Sequence, residues 1–516
     1  MHISIGSIIS KLGVNEMTTQ YLGLDVLLIN PAGEAGIYQE LSESLSAIEP
    51  PLWCRLIAGY VRDRGLHVDI IDSVAENWEP HVVAGRARRL SPKLIVVVVF
   101  GHQPSASTQQ MPAANLTCNA LKEICPDTPV LIVGGHVSAL PERTLTEMDV
   151  DYSCKGEGHI TVIELLAELE KDDEERDLSK VLGLCWWDDK EIRLNKMAPL
   201  ASDLDGDLHG NVWDLLPMEK YRAHNWQCFG NLESRQPYAS IYTTLGCPYK
   251  CEFCCINAPF DTNKYRMRSP EAVVEEISYL HDHFGVKTFK IIDEMFVLND
   301  RHVLGICDLL IEKKLDLNFW AYARVDTVKP HFLDKLRKAG IRWLALGIES
   351  GSAQVRDGSL KALKNDDITT VVNDIQKAGI NVIGNFIFGL PKDTLETMRQ
   401  TLDLAKQLNC EFSNFYSAMA YPGSPLYRLA QVNDWPLPES WSGYSQYSYD
   451  CQPLPTESLA ASEVLAFRDM AFQECFSNPK YLNMTAQKFG WETRSYIEGM
   501  TKYRLSRKIL EAQELN

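Results

Sequence analysis

"TLGCPYKCEFCCINAPF", residues 244–260, packs four cysteines into nine positions. Cys247, Cys251 and Cys254 follow the spacing C-x3-C-x2-C, and Cys255 comes directly after them. Three thiolates on one short loop can hold three corners of an iron–sulfur cubane, whose full protein ligation takes four cysteines. The remaining iron then stays open to a small molecule, much as a catalytic zinc keeps one coordination position free. The competing reading is zinc held by these three cysteines and a distant fourth ligand. Zinc ribbons and knuckles usually show a second cysteine or histidine pair, and none occurs nearby. Cys255 is a poor fourth ligand, because geometry disfavours two adjacent residues on one cluster. Fourteen cysteines without a secretory signal point to a reducing cytoplasm, where disulfides are rare.

The cysteine loop follows the strand-like "YASIYTTLG", which opens an alternating region over residues 236–425. Its further strands are "TFKIID", "NFWAYARV", "WLALGIES", "NVIGNFIFGLP" and "FSNFYSAMAYPG". One intervening helix begins with Ser269 as N-cap and Pro270 in the first helical position. Six strands with helices between them predict a partial parallel barrel, with its site at the strands' C-terminal ends. Upstream, "DVLLIN", "HVDIID", "LIVVVVF" and "VLIVGG" are near-continuous apolar runs, as strands covered on both faces require. They alternate with helical candidates such as "LWCRLIAGYVRDRG", "HVVAGRARRL" and "AANLTCNALKEIC", which predicts a doubly wound, Rossmann-like parallel sheet over residues 20–170. Ligands of such a sheet sit beyond the strands' carboxyl ends, here the loops "NPAGEAG", "GHQPSAST" and "GGHVSALPE". Residues 171–235 read as a connector containing a hairpin in "GLCWWDDKEIRLN". Residues 426–516 read as a mainly helical region with aromatics crowded at its start. The fold class is α/β throughout, with that helical C-terminal region appended.

The bulk numbers agree. A chain of 516 residues exceeds one small core, and 45% apolar with 23% charged residues describes a globular protein. A formal charge of −18 argues against an extensive nucleic-acid surface, and no nucleic-acid partner is expected. No run approaches the roughly 18 apolar residues of a membrane-spanning helix. The first residues lack a basic region and a cleavage site, so a cytoplasmic location is expected.

A C-x3-C-x2-C loop behind the first strand of a six-strand α/β region resembles the radical S-adenosylmethionine (SAM) superfamily. Other positions match in order: Phe253 before the third cysteine, Asp293 and Glu294 in "KIIDEMF", and Arg324 in "AYARVD". Glu349 and Ser350 in "LGIESGS" and Gly384 in "GNFIFGLP" follow. The resemblance implies that Cys247, Cys251 and Cys254 bind a [4Fe–4S] cluster whose fourth iron is chelated by SAM. Cleavage of SAM there yields methionine and a 5′-deoxyadenosyl radical that takes hydrogen from substrate. It assigns Asp293 and Glu294 to the SAM amine, where the usual Gly-Gly-Glu is absent, and Arg324 to the carboxylate. Glu349 and Ser350 go to the ribose hydroxyls, and the strand at Gly384 backs the adenine. A guanidinium on a carboxylate and a carboxylate accepting from hydroxyls are apt chemistry.

The preceding doubly wound domain is similar to the cobalamin (B12)-binding module of one subgroup of that superfamily. The similarity rests on "LLINP", "PPLWCRLIAGYVRDRGLHVDIID", "VGGHVSALPERTL" and "VDYSCKGEGH". It implies bound cobalamin whose nucleotide tail runs toward Gly134 and Gly135 and toward Gly156, Glu157 and Gly158. Ser105, Ser107 and Thr108 are the candidate polar contacts. The motif Asp-x-His-x-x-Gly is absent, so no lower cobalt ligand is assigned; His102 and His136 read as hydrogen-bonding loop residues. The expected activity is cobalamin-dependent methylation of an unactivated carbon, or phosphorus, in a small molecule or lipid. A flavodoxin or ferredoxin is the expected electron donor. A cyclase or rearrangement enzyme using the same cofactors is the first alternative, and a non-catalytic metal- or cobalamin-binding sensor the second. Tyr416, Tyr421, Trp435, Trp441, Tyr444, Tyr447 and Tyr449 either cap the barrel or fill a core, and Cys255 and Cys451 are candidate hydrogen donors.

Overall fold

The computed structural model describes residues 23–32, 39, 46–359 and 365–514. Most of "NPAGEAG" and the first residues of the domain expected from residue 20 lie outside them. The first sheet has seven strands in the order β2-β1-β3-β4-β5-β6-β7. These are β1 (Val26–Asn30), β2 (Val68–Asp72), β3 (Leu94–Val99), β4 (Val130–Gly134), β5 (Tyr152–Cys154), β6 (Leu184–Asp188) and β7 (Glu191–Leu194). The pairs among β1 to β5 are parallel, with both faces covered by helices, which explains the unbroken apolar "LIVVVV" of β3. The order 2-1-3-4-5 places a topological switch point between β1 and β3.

The hairpin read from "GLCWWDDKEIRLN" forms as β6 and β7, but it pairs antiparallel with β5 and so extends the first sheet. Residues 171–235, taken from the sequence as a connector, therefore contribute two strands to that sheet. Buried Leu184 and Cys185 anchor them. The helix expected from residue 113 begins earlier, as Ala106–Ile124, and runs through Pro112. Its start is tied down by Ser107, whose hydroxyl donates to Val99 O and accepts from His136 N at 2.8 Å.

The second sheet is parallel, in the order β15-β14-β13-β12-β11-β8. Its strands are β8 (Tyr238–Ile241), β11 (Thr288–Ile291), β12 (Asn318–Arg324), β13 (Ile341–Glu349), β14 (Asn381–Phe388) and β15 (Phe412–Ser417). A small antiparallel ribbon, β9 (Thr244–Leu245) with β10 (Arg266–Met267), stands outside it. β8 and β15 do not pair with each other, so the curved sheet is a partial barrel with a lateral gap. Ser269 caps the Pro270–Phe284 helix, accepting from Ala272 N at 3.2 Å. Helices Ala461–Phe476, Pro479–Phe489 and Trp491–Met500 pack at the β15 side. No helix among the described residues is long and apolar enough to cross a membrane.

One hydrophobic core runs through both sheets, from Val26 and Leu56 to Phe289, Leu344 and Phe386. A buried ionic knot crosses the same boundary. Arg55, on the Leu52–Asp63 helix, donates to Glu276 Oε1 at 3.1 Å and stacks 3.6 Å above Trp213. Arg268 pairs with the other oxygen of Glu276. Arg55 also donates to the carbonyls of Gly210 and Ser240, both at 3.0 Å, so both terminal nitrogens are engaged while Nε has no partner among the described residues.

Candidate functional site

The cysteine loop is fastened at both ends. β9 and β10 pair across it, and at Gly246 (φ 84°) a Cβ would collide with Lys264 O at 2.2 Å. Asn257 Nδ2 donates to Cys247 O at 3.1 Å and to Asn263 Oδ1 at 2.9 Å. Cys247 is nearly buried, whereas Cys251 and Cys254 are partly open. Cys255 turns the other way, into a cluster with Met419, Tyr421, Tyr444, Cys451 and Leu465. The two cysteines singled out as hydrogen donors thus share one apolar packet. Burial pushes their thiols up, Cys255 to about 12 and Cys451 to about 11, as expected of unreactive core thiols.

Among the described residues no three His, Cys, Asp or Glu side chains converge to hold a single metal ion. A cubane distributes its thiolates over separate iron corners, which three spaced cysteines on one loop can match. Burial raises the Cys247 thiol to about 11 and Cys254 well above its ordinary value, so both must lose protons on binding iron.

Around this loop the strand ends converge. Arg324, at the end of β12, donates from Nη1 to Cys251 Sγ at 3.6 Å and lies 3.9 Å over the Tyr249 ring. It also forks onto Asp326 at 2.9 and 3.0 Å. Glu349, at the end of β13, is 6% exposed and holds φ 68°, a left-handed conformation rare for a side-chain-bearing residue. A register shift between Gly347 and Glu349 re-aims it. Such local strain marks functional positions more often than structural ones.

Other matched positions behave differently. Asp293 is buried, accepting from Thr243 N at 2.6 Å and from both threonine hydroxyls at 243 and 244; it clasps the end of β8. Glu294 beside it lines a cavity of about 70 Å³ with Cys255, His102 and Gly135. Burial pushes its carboxyl up to about 8 against the opposing Lys290, with Asp293 adding to the rise. Ser350 Oγ faces Thr401 Oγ1 at 3.1 Å and accepts from Ser352 N at 3.1 Å, so this hydroxyl is engaged within the turn. A Cβ on Gly384 would strike Phe386 at 2.7 Å, on the helix-covered side of β14; its neighbours Ile383 and Asn385 line the lumen. Phe253 packs against Val355, Leu390 and Ala418.

On the first sheet, Thr108 Oγ1 meets His136 Nδ1 at 3.1 Å, and Trp441 stands edge-on to that ring at 4.3 Å. Ser107 fixes the β3 and β4 ends as described, and Ser105 precedes the Ala106–Ile124 helix without capping it. A Cβ on Gly134 would meet Val99 O at 2.2 Å, and one on Gly158 (φ 86°) would meet Val133 at 2.6 Å. These two glycines serve close packing of backbone on strand. Gly135 faces the smaller cavity, and Gly156 N donates to Ser138 Oγ at 2.9 Å. Glu157 is engaged by Arg266 Nη2 at 2.8 Å and Ala201 N at 2.9 Å, a bridge to the β9–β10 ribbon.

The lateral gap of the barrel opens into a cavity of about 550 Å³, within the range of cofactor and substrate sites. Tyr322, Asn385 and Asn414 line it from the strands, and Gln103, Gln109 and Gln110 from the first domain. Asn414 Nδ2 donates to Asn385 Oδ1 at 3.0 Å. Gln110 Oε1 is buried without a hydrogen-bond partner among the described residues, an acceptor suited to an amide-bearing ligand such as cobalamin. At its floor Glu49 gathers Lys290 Nζ (2.9 Å), Tyr238 OH (3.2 Å) and His102 Nδ1 (3.1 Å). Burial works against the Glu49 carboxylate, but Lys290, His102 and His224 outweigh it and hold the group down at about 2. This polar floor escaped the sequence reading because its members lie singly at residues 49, 102, 224, 238 and 290.

Residues 241–405 match the family model of the Radical SAM superfamily, and residues 41–166 match that of the B12 binding domain. The uncharacterized methyltransferase PH0819 of Pyrococcus horikoshii is 29% identical over 423 residues, covering 82% of this chain and 86% of its own. The anaerobic magnesium-protoporphyrin IX monomethyl ester cyclase of Rubrivivax gelatinosus is 23% identical over 92% of this chain and 81% of its own. Among solved structures, the radical SAM methyltransferase TsrM of Kitasatospora setae superposes with a TM-score of 0.65 at 19% identity, covering 92% of this chain and 98% of its own. The cobalamin-dependent radical enzyme OxsB gives 0.67 at 16% identity, covering 93% and 72%. Barrel, cysteine loop and leading doubly wound sheet coincide with the two matched models: the chain carries a Radical SAM domain over residues 241–405, preceded by a B12 binding domain over residues 41–166.

Proposed function

We propose that this protein is a cobalamin-dependent radical SAM methyltransferase acting on an unactivated carbon, or phosphorus, of a small molecule or lipid. The observation that carries it is one chamber, walled jointly by the cysteine-bearing barrel and the switch-point face of the first sheet. Relatives named as methyltransferases support the choice, among them the cytidylyl-2-hydroxyethylphosphonate methyltransferase of Streptomyces wedmorensis, 25% identical over 78% of this chain and 81% of its own. When bound, the cluster and SAM supply a hydrogen-abstracting radical and cobalamin supplies the methyl carrier.

The protein's residues position and insulate. Cys247, Cys251 and Cys254 hold the cluster, and Arg324 pairs with the SAM carboxylate while staying fixed by Asp326. Glu349 accepts from the ribose hydroxyls, with Ser350 and Asp293 holding its turn and the cysteine strand in place. Glu294, which lines the smaller cavity beside the cysteine loop, accepts from the SAM amine. Gln103, Gln109 and Gln110 offer amides to cobalamin, whose tail runs toward Gly135 and Gly156. Trp320, Tyr322, Phe412 and Tyr416 enclose the chamber and exclude water that would quench a radical. In this reading residues 20–170 carry cobalamin, 236–425 carry SAM and 426–516 close over substrate. A flavodoxin or ferredoxin supplies electrons in a reducing cytoplasm.

The test is anaerobic reconstitution followed by product analysis with candidate substrates. Methyl transfer predicts S-adenosylhomocysteine alongside 5′-deoxyadenosine. The relative named as a cyclase favours one second reading, ring formation, which predicts 5′-deoxyadenosine with no S-adenosylhomocysteine. Absence of SAM cleavage in the loaded protein would remove both.

A further inference from the structure

His102 sits in the loop after β3, at the switch point where ligands of doubly wound sheets bind. Its ring is held on one side. Nδ1 stands 3.1 Å from Glu49 Oε2, off the axis of an aligned hydrogen bond, and Glu49 is itself fixed by Lys290 and Tyr238. Lys290 Nζ also donates to the His102 carbonyl at 3.2 Å, so backbone and ring are clamped by one buried pair. Nε2, across the ring from Glu49, has no hydrogen-bond partner among the described residues. The side chain keeps 27% of its surface and lines both cavities between the sheets. A carboxylate at Nδ1 selects the tautomer whose Nε2 lone pair is free, and this second partner is the usual companion of a metal-binding histidine.

We infer that His102 Nε2 is an axial ligand of the cobalt in bound cobalamin, with Glu49 as its positioning residue. The inference rests on the cobalamin binding proposed above. The carboxylate and the imidazole come from separate loops 53 positions apart, which is why no contiguous motif announces them.

The test is spectroscopic. The full chain is prepared with natural and with ¹⁵N-labelled histidine, loaded with hydroxocobalamin, reduced to cob(II)alamin and desalted. Its EPR spectrum is expected to show each cobalt line split in three by one nitrogen, and in two with the labelled histidine. His102→Ala is expected to retain cobalamin and lose the splitting. His102→Gln, which can still offer an amide N–H to Glu49, replaces it should the alanine variant not hold the cofactor. Glu49→Gln is expected to give a mixture of split and unsplit signals; a fully split signal would remove Glu49 from the arrangement. An unsplit wild-type spectrum overturns the inference and leaves cobalamin binding intact. So does a threefold splitting that the labelled histidine fails to change, which would assign the cofactor's own base. A wild-type protein that retains no cobalamin overturns the proposed function along with the inference.

Discussion

Arg324 Nη1 and Cys251 Sγ stand 3.6 Å apart, joining the end of β12 to the cysteine loop across 73 positions of sequence. The same guanidinium is stacked on Tyr249 and forked on Asp326. One always-charged group therefore ties a thiol, a ring and a carboxylate together before any ligand arrives.

That arrangement separates cluster binding from SAM binding. Arg324→Lys keeps the charge but loses the planar fork, and SAM affinity is expected to fall by about tenfold, roughly 1.4 kcal/mol. Iron per chain should stay at the wild-type level. Equilibrium dialysis with SAM and an iron assay on the same samples check both; a parallel loss of iron would make Arg324 part of the cluster's support instead.

Glu349 gives a test in which affinity and stability part company. Glu349→Gly and Glu349→Ala both remove the carboxylate, and both should bind SAM at least about tenfold more weakly. At φ 68° only glycine relaxes the backbone, so the glycine variant should be the more stable of the two by about 1 kcal/mol. Urea titrations of the two proteins decide it, and equal stability would mean the conformation carries no strain.

Cys254→Ala and Cys255→Ala are adjacent substitutions with opposite outcomes. The first should abolish the absorbance of the reconstituted cluster. The second should leave iron content unchanged and cost about 1 kcal/mol of stability, because Cys255 fills the packet with Tyr421 and Cys451. Loss of the cluster in Cys255→Ala would overturn the ligand assignment.

Glu276 sits between two buried arginines. Glu276→Gln is expected to destabilise the protein by about 3–5 kcal/mol, because Arg55 and Arg268 are then left uncompensated. The double variant Arg55→Met/Glu276→Gln should recover part of that loss. Additive destabilisation in the double variant would show that the two residues do not act as a pair.

Stability should fall on mild acidification. His159 and His302 are buried, and burial lowers each to about 4 from the ordinary 6.5. Between pH 6.5 and 4 the unfolded chain takes up protons that the folded chain refuses, so each contributes stability that is lost as pH drops through that window, on the order of 3 kcal/mol apiece. Asp393, raised by burial to about 6, works in the opposite direction between pH 6 and 3.8. Thermal midpoints from pH 7 to 4.5 should decline, and His159→Phe should flatten the slope. A pH-independent midpoint would show that these histidines protonate in place.

Much of this was legible because the signals were local. The C-x3-C-x2-C spacing, the apolar runs of β1, β3 and β4, and the Ser269–Pro270 helix start are each contained within a few residues. The order of Arg324 and Glu349 behind the cysteines was legible as well, since parallel strands return every strand end to the same rim. Side-chain direction was less so. Gly384 points to the helices while Asn385 points inward, a distinction set by strand parity at a bulged edge. The fate of Asp293, occupied by two threonines, required knowing that β8 and β11 are neighbours. The Glu49 floor and the attachment of β6 and β7 to the first sheet depend on contacts between distant segments, which leave no periodic trace.

The gap between β8 and β15 assigns the chamber's walls to different parts of the gene. The side bearing Tyr322, Ala345 and Asn385 is strand, part of β12, β13 and β14, the first two of which end at Arg324 and Glu349. The facing side is made by Tyr447, Arg468, Tyr496 and Tyr503, all contributed by chain that follows the last strand. In the proposed reading, where residues 426–516 close over substrate, exchange of that part of the wall changes which molecule is admitted while the strands remain untouched.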